Sequence, residues 1–192
     1  LDALMSTPRR VILLGGAVIA LTMAALLVVH TGLPDRAVFS AEFFLPDGRP
    51  VAPEIGAVAP AFQLVTFDGH SVDLSKLRGS PVVVNFWATW CEPCRVEMPQ
   101  LQALYDAHRR GGLKVVGVNR GDTGEQVRGW AQELALTFDL ALDPQDRTAL
   151  TYHLRGQPST YIISPTGTIT AIFYGPTTKD ALEAALAPYI TS

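Results

Sequence analysis

Cysteine is nearly absent, with two residues in 192. That excludes a small scaffold held by disulfides and a four-thiolate zinc site. Charge is sparse as well. Asp, Glu, Lys and Arg make up 17% of the chain against 48% hydrophobic residues, which excludes a disordered chain. Positive charge is not in excess: the formal net charge is −3, so nucleic-acid binding by phosphate neutralisation is not expected. His30, His70, His108 and His153 are scattered without metal-ligand spacing, and neither a metal nor another cofactor is expected. The 16 glycines and 14 prolines are too few and too dispersed for a collagen-like or low-complexity chain. No internal repeat points to a solenoid or propeller.

One long apolar run is present. Val11 to Val29 (VILLGGAVIALTMAALLVV) is nineteen residues without a charge. As a helix it is about 28 Å long, close to the apolar thickness of a bilayer. A cleaved signal peptide is the alternative, but its apolar core is about 7–15 residues and ends at a small-x-small site. His30, Thr31, Gly32, Leu33 and Pro34 offer no such site. A twin-arginine signal is disfavoured because Pro8 precedes Arg9 and Arg10. Those arginines flank the run, so the positive-inside rule keeps residues 1–10 in the cytoplasm, makes 11–29 the transmembrane anchor and exports the rest. Residues 1–30 hold two arginines and one aspartate, so the exported part carries 13 basic and 17 acidic groups and is not drawn to anionic lipid. Residues 30–54, with Pro34, Pro46, Pro50 and Pro53, read as a linker. Residues 55–192 read as one domain, long enough for one good core.

Within that domain, Phe62 to Phe67 and Ser71-Val72 flank Asp68-Gly69 and predict a hairpin. Asp73 is placed to cap one helical turn through Leu77. Pro81 to Trp87 (PVVVNFW) is nearly continuously apolar and β-branched, which predicts a central strand buried on both faces. Met98, Leu101, Leu104, Tyr105 and His108 recur at helical spacing up to Gly111-Gly112. Lys114 to Asn119 is another short buried strand, and Thr123 and Gln126 form a capping box for the next helix. Phe138 to Leu142 reads as an edge strand, and Asp143-Pro144 as the opening of a short helix to about Tyr152. Tyr161 to Ile163 and Ile169 to Phe173 make a second hairpin, and Thr178 to Ala187 a final helix. Strands alternating with helices predict an α/β layered domain with a central mixed sheet flanked by helices.

Both cysteines lie in Trp90-Cys91-Glu92-Pro93-Cys94, where the most buried strand hands over to the first long helix. Buried small hydrophobes or half a metal site are the alternatives to redox chemistry. The physical case for redox is stronger. Cys91 falls at the helix N-cap, where unpaired N–H groups and the helix dipole stabilise an anion. That lowers the thiol pKa and makes Cys91 the attacking sulfur. Pro93 costs no hydrogen bond in the first turn. Cys94, one turn in and more shielded, is placed to attack a mixed disulfide and release the product.

FWATWCEPC resembles the thioredoxin superfamily, and within it the membrane-anchored, extracytoplasmic thiol–disulfide oxidoreductases of the TlpA and ResA group. The resemblance covers residues 55–190. It extends to Pro99, eight residues after Cys91, to Gly156-Gln157-Pro158-Ser159-Thr160, and to Phe173-Tyr174-Gly175 at the end of the last strand. It implies a thioredoxin-like fold and a cis-proline at Pro158 facing the cysteines. An ordinary trans turn proline is the alternative, although a proline beside a central strand needs some such turn. A cis bond leaves the Gln157 backbone free to pair with an extended substrate. Trp87, Trp90 and Pro158 then wall an apolar patch, unless Trp87 belongs to the core. Thioredoxins proper carry a buried acid where this chain has Asn85, so the resemblance removes a proton relay from that position. Glu97 matches an acidic residue of the ResA-like group and shares a helix face with Cys94. Its expected role is to handle the Cys94 proton; a solvated surface glutamate is the alternative.

The catalytic candidates are therefore Cys91, Cys94 and Glu97. The substrate-contact candidates are Trp90, Glu92, Pro93, Gln157 and Pro158. Glu92 places a negative charge between the sulfurs, which opposes thiolate stabilisation and leans toward the reducing end. The resemblance implies an exported disulfide-bearing protein as substrate, with an apocytochrome c as one candidate, and a thiol electron donor in the membrane. Competing readings are an exported oxidase or isomerase, and a copper-handling module on the same fold, for which His153 is the only histidine near Pro158. A peroxidase needs one cysteine set between a threonine and an arginine, a setting not found here.

Overall fold

The structure is a computed structural model that describes residues 22–23 and 45–190. The anchor expected at 11–29 lies outside the described residues except for Thr22 and Met23. Among the described residues no helix is long and apolar enough to cross a membrane. A compact unit starts at Leu45. Residues 45–54, read as linker, are tied to it in part: Val58 donates to Pro50 O at 2.8 Å, Ala52 donates to Val58 O at 3.1 Å, and Val58 bridges Thr168.

In chain order the elements are β1 (Gln63–Thr66), β2 (Ser71–Asp73), β3 (Val82–Trp87), α1 (Glu92–His108), β4 (Lys114–Arg120), α2 (Gly124–Glu133), β5 (Asp139–Asp143), α3 (Arg147–Thr151), β6 (Ser159–Ile163), β7 (Ile169–Tyr174) and α4 (Lys179–Leu186). They form one mixed seven-stranded sheet, order β2-β1-β5-β4-β3-β6-β7. Strand β3 is buried at every position, as its apolar run requires. It pairs parallel with β4 and antiparallel with β6.

The period-2 alternation of β3 feeds two cores. Val83 and Trp87 face one side, with Met98, Leu101 and Leu104 of α1, Val127 of α2, Leu182 and Leu186 of α4, and both cysteines. Val82, Val84 and Phe86 face the other, with Phe62, Leu74, Tyr152 and Tyr161. The sheet thus sits between two helical or loop layers, which is the thioredoxin-like α/β architecture.

Two elements differ from the sequence reading. Strand β5 is not an edge: β1 pairs antiparallel along its outer side, at Val65↔Leu142 and Thr66↔Ala141. A partner 70-odd residues away leaves no mark on the local pattern. The short helix starts at Arg147, not at Pro144. Asp143 is instead the buried last residue of β5, and its carboxylate accepts the Ala149 N–H at 3.0 Å across the intervening turn.

Trp87 is fully buried against Trp130, ring centroids 5.4 Å apart. The core reading therefore holds for it, and it walls no surface patch. Its neighbour Gly117 leaves it room: a Cβ there would stand 2.9 Å from Leu140 Cδ2 and 3.0 Å from Trp87 Nε1. Gly117→Ala should destabilise the domain by roughly 1–3 kcal/mol through overpacking. The check is a lower urea midpoint at unchanged slope; an unmoved midpoint would mean that Trp87 and Leu140 yield freely.

Candidate active site

The last residues of β3 lead through a tight turn into α1. Cys91 is the N-cap of α1 in extended backbone, and its Sγ accepts the Cys94 N–H at 3.2 Å. Glu92 and Pro93 occupy the exposed first turn. Cys91 and Cys94 are joined by a disulfide. Cys94 is fully buried and Cys91 is 4% exposed, so the little exposure the pair has lies at the helix N-terminus. Trp90 stands 71% exposed immediately before it. In the reduced form, the amide N–H groups of the first turn and the helix dipole favour the thiolate at Cys91.

The turn is fastened by residues that the sequence reading did not single out. Asp122 accepts from the Thr89 backbone N–H at 2.7 Å and from the Thr89 hydroxyl at 2.8 Å. Asn119 Nδ2 donates to the same carboxylate at 2.8 Å. Asn119 and Asp122 are both buried at the end of β4. The local signal is a polar Asn-x-x-Asp that starts inside an apolar strand and ends just beyond it.

Antiparallel pairing of β3 with β6 sets Phe86 opposite Ser159. The start of β6 therefore lies at the sheet end from which the cysteine turn leaves. The Gln157–Pro158 bond there is cis, as the resemblance implies. Gly175 N–H donates to Pro158 O at 2.9 Å and ties this loop to the end of β7. A cavity of about 560 Å³ lies beside it, with Gln157, Pro158 and Tyr174 in its wall. His153 lines the same cavity from an exposed position. Among the described residues no group of three or more His, Cys, Asp or Glu is placed to hold a metal.

Glu97 is not a surface residue. It is 1% exposed, and its carboxylate accepts from Asn85 Nδ2 at 2.8 Å, Thr160 Oγ1 at 3.1 Å and the Thr177 N–H at 3.3 Å. Burial pushes its pKa up from 4.5 to about 7, against the pull of the hydrogen bonds from Thr160, Asn85 and Thr177. Asn85 is therefore not idle. It also donates to Thr160 Oγ1 at 2.8 Å, so the β3 position that lacks an acid holds an acid supplied by the helix. Glu97 lies one turn after Cys94 on the same helix face.

A thioredoxin-like sheet with a Cys-x-x-Cys disulfide at the strand-to-helix junction and a cis-proline loop at the same sheet end defines a thiol–disulfide oxidoreductase. The family model described as AhpC/TSA matches residues 55–172. A Geobacillus kaustophilus protein named thiol-disulfide oxidoreductase ResA is 36% identical over 129 residues, 67% of this chain and 74% of that protein. The Oceanobacillus iheyensis protein of the same name is 39% identical over 136 residues, 69% and 71% of the two chains. Among solved structures, a Chlorobium tepidum protein assigned as thiol:disulfide interchange protein DsbE aligns with TM-score 0.66 at 30% identity, covering 71% of this chain and 97% of its own. The chain belongs to the AhpC/TSA family and is a thiol–disulfide oxidoreductase of the ResA and DsbE type.

Proposed function

We propose that this protein is a membrane-anchored, extracytoplasmic protein-disulfide reductase, working on exported proteins such as an apocytochrome c. The observation that carries the reading is the sulfur pair itself: Cys91 at the N-cap, Cys94 buried behind it and Glu97 buried one turn further on. The Cys91 thiolate attacks a substrate disulfide, forming a Cys91–substrate disulfide and expelling one substrate thiolate, which takes up a proton. Cys94 gives its proton toward Glu97 and attacks Cys91 Sγ. The second substrate thiol leaves and the Cys91–Cys94 disulfide forms. Two electrons pass to the substrate, and a dithiol donor in the membrane restores them.

A carboxyl group with pKa near 7 is suited to accept and return that proton at neutral pH. Trp90, Glu92, Pro93, Gln157 and Pro158 form the substrate-facing rim, with the Gln157 backbone pairing an extended segment. Val11 to Val29 is the anchor, and Arg9 and Arg10 keep residues 1–10 in the cytoplasm. Tethering raises the effective concentration near membrane partners. Glu92, between the sulfurs, supports the reducing direction.

The test is to express Cys94→Ala in the host and identify what is held on Cys91. Apocytochrome recovered as a mixed disulfide supports the maturation role. A spread of unrelated secreted proteins would replace it with a general reductase or isomerase, and no adduct at all would overturn Cys91 as the attacking sulfur.

A further inference from the structure

Glu97 meets donors only. Its Oε2 accepts from Asn85 Nδ2 at 2.8 Å, and its Oε1 accepts from the Thr160 hydroxyl at 3.1 Å and the Thr177 N–H at 3.3 Å. Three donors suit a carboxylate, whereas a neutral acid has an O–H of its own to place. Two of the three trace back to Asn85. The pairing of β3 with β6 sets Asn85 directly opposite Thr160. The alternation along β3 turns Asn85 to the side of Val83 and Trp87, which is the side of α1. From there the amide gives one N–H to Glu97 and the other to Thr160 Oγ1, at 2.8 Å. A hydroxyl that accepts from an amide still has its single hydrogen to donate, and this one donates it to Glu97.

The arrangement leaves one group unmatched. Asn85 Oδ1 is buried and finds no partner among the described residues, and a buried acceptor without a donor is destabilising. Turning the amide over would set that oxygen against Glu97 Oε2, acceptor to acceptor. The orientation held is therefore the one that favours negative charge on Glu97. Burial raises the Glu97 pKa to about 7, and the bonds from Thr160, Asn85 and Thr177 pull against that rise. No cation shares the task. Arg95 on α1 pairs with Glu133, and Lys179 and His108 both pair with Glu183 of α4. Glu92 and Asp180 are exposed, and Tyr161 of β6 belongs to the opposite core. Cys94, one turn earlier on the same helix face, is the titratable group that remains.

We propose that Asn85 is a positioning residue for the resolving step: directly and through Thr160, it holds Glu97 as the carboxylate that receives the Cys94 proton. The inference rests on the reading of Glu97 as that acceptor, and it adds what keeps the acceptor ready. In the step, the Cys94 S–H bond breaks and a Glu97 O–H bond forms. The Cys94 thiolate attacks Cys91 Sγ, and the substrate sulfur leaves as a thiolate and takes up a proton. Glu97 gives one up before the next turnover.

The experiment follows single turnovers of a disulfide-bearing peptide from about pH 5 to about pH 9, reading the first and second released thiols separately. The proteins are the wild type, N85L, T160V, T160S, E97Q and N85L/E97Q. N85L should move the ionisation of second-thiol release upward by about one pH unit or more. Release at pH 7 should then slow roughly fivefold or more, while the plateau at high pH stays within about twofold of the wild type. T160V loses one donor at nearly constant volume and should move the ionisation the same way by less. T160S keeps the hydroxyl and should leave it in place. That pair keeps the test open if N85L fails to fold. N85L/E97Q should show the flat profile of E97Q. An unmoved ionisation in N85L, or in T160V against T160S, overturns the role of Asn85 and leaves the Glu97 reading standing. A loss spread evenly over both thiols at every pH also overturns it, since that is damage to the fold alone. A wild-type profile with no ionisation for E97Q to remove sinks both.

Discussion

Cys91→Ser should lower disulfide reduction by a factor on the order of 10³ or more, because a serine hydroxyl is not ionised at neutral pH and the thiolate is the nucleophile. The fold should survive. Serine is a strong N-cap, so the side-chain bond now made from Cys94 N–H to Cys91 Sγ has a ready replacement. The companion variant Cys94→Ser should behave differently. It keeps the attacking sulfur and loses only the one that resolves, so a single turnover should release one substrate thiol and then stop at a stable adduct on Cys91. Rapid-quench assay of released thiol, with mass measurement of the adduct, separates the two. Equal loss in both variants with no adduct on either would remove the order of attack. The burial difference between the two residues is the reason to expect asymmetry: Cys94 has no exposed surface, while Cys91 keeps a little beside exposed Trp90.

Glu97 should make the stability of the oxidised protein depend on pH, in a direction opposite to an ordinary paired carboxylate. Its folded pKa is raised, from 4.5 to about 7. The stabilisation linked to its proton is therefore complete below about pH 4.5 and is lost as pH rises through about 7. Over that interval the linkage amounts to about 3 kcal/mol. Above pH 7 the buried site must hold a charge, supported only by neutral donors from Asn85, Thr160 and Thr177. Glu97→Gln carries no such proton. Urea unfolding of the two oxidised proteins at pH 4.5 and 8 should show the wild type losing about 3 kcal/mol more than the variant. Parallel profiles would contradict the raised pKa. In single turnovers, release of substrate from the Cys91 adduct should follow an ionisation near pH 7 in the wild type and lose it in Glu97→Gln.

Much of the site could be read before folding. Cys91 as N-cap follows from a buried β-branched run that ends at Trp87 and a helical stripe that follows from Met98, and both signals are local. The hairpin turns, the Thr123–Gln126 capping box and the Asp73 cap stood in the same way, since each depends on groups two to four residues apart. Glu97 was legible only as a choice between surface and site. The three partners that decide it come from β3, β6 and the loop before α4, at separations of 12, 63 and 80 residues. At Asn85 the sequence shows only half of the arrangement, for the same reason. Its neighbours in sequence show an acid missing from the strand, and only the fold shows where the acid went.

Periodicity, caps and turn residues determined, from the chain alone, that a sheet strand would deliver a cysteine pair to a helix N-terminus, because those signals act over one or two turns of backbone. Which strand lies inside the sheet, which tryptophan is core and which carboxyl loses its water were decided by the tertiary structure. Burial and hydrogen-bond partners belong to segments that meet only after the chain has closed on itself, and no short stretch of sequence contains both halves of such a contact.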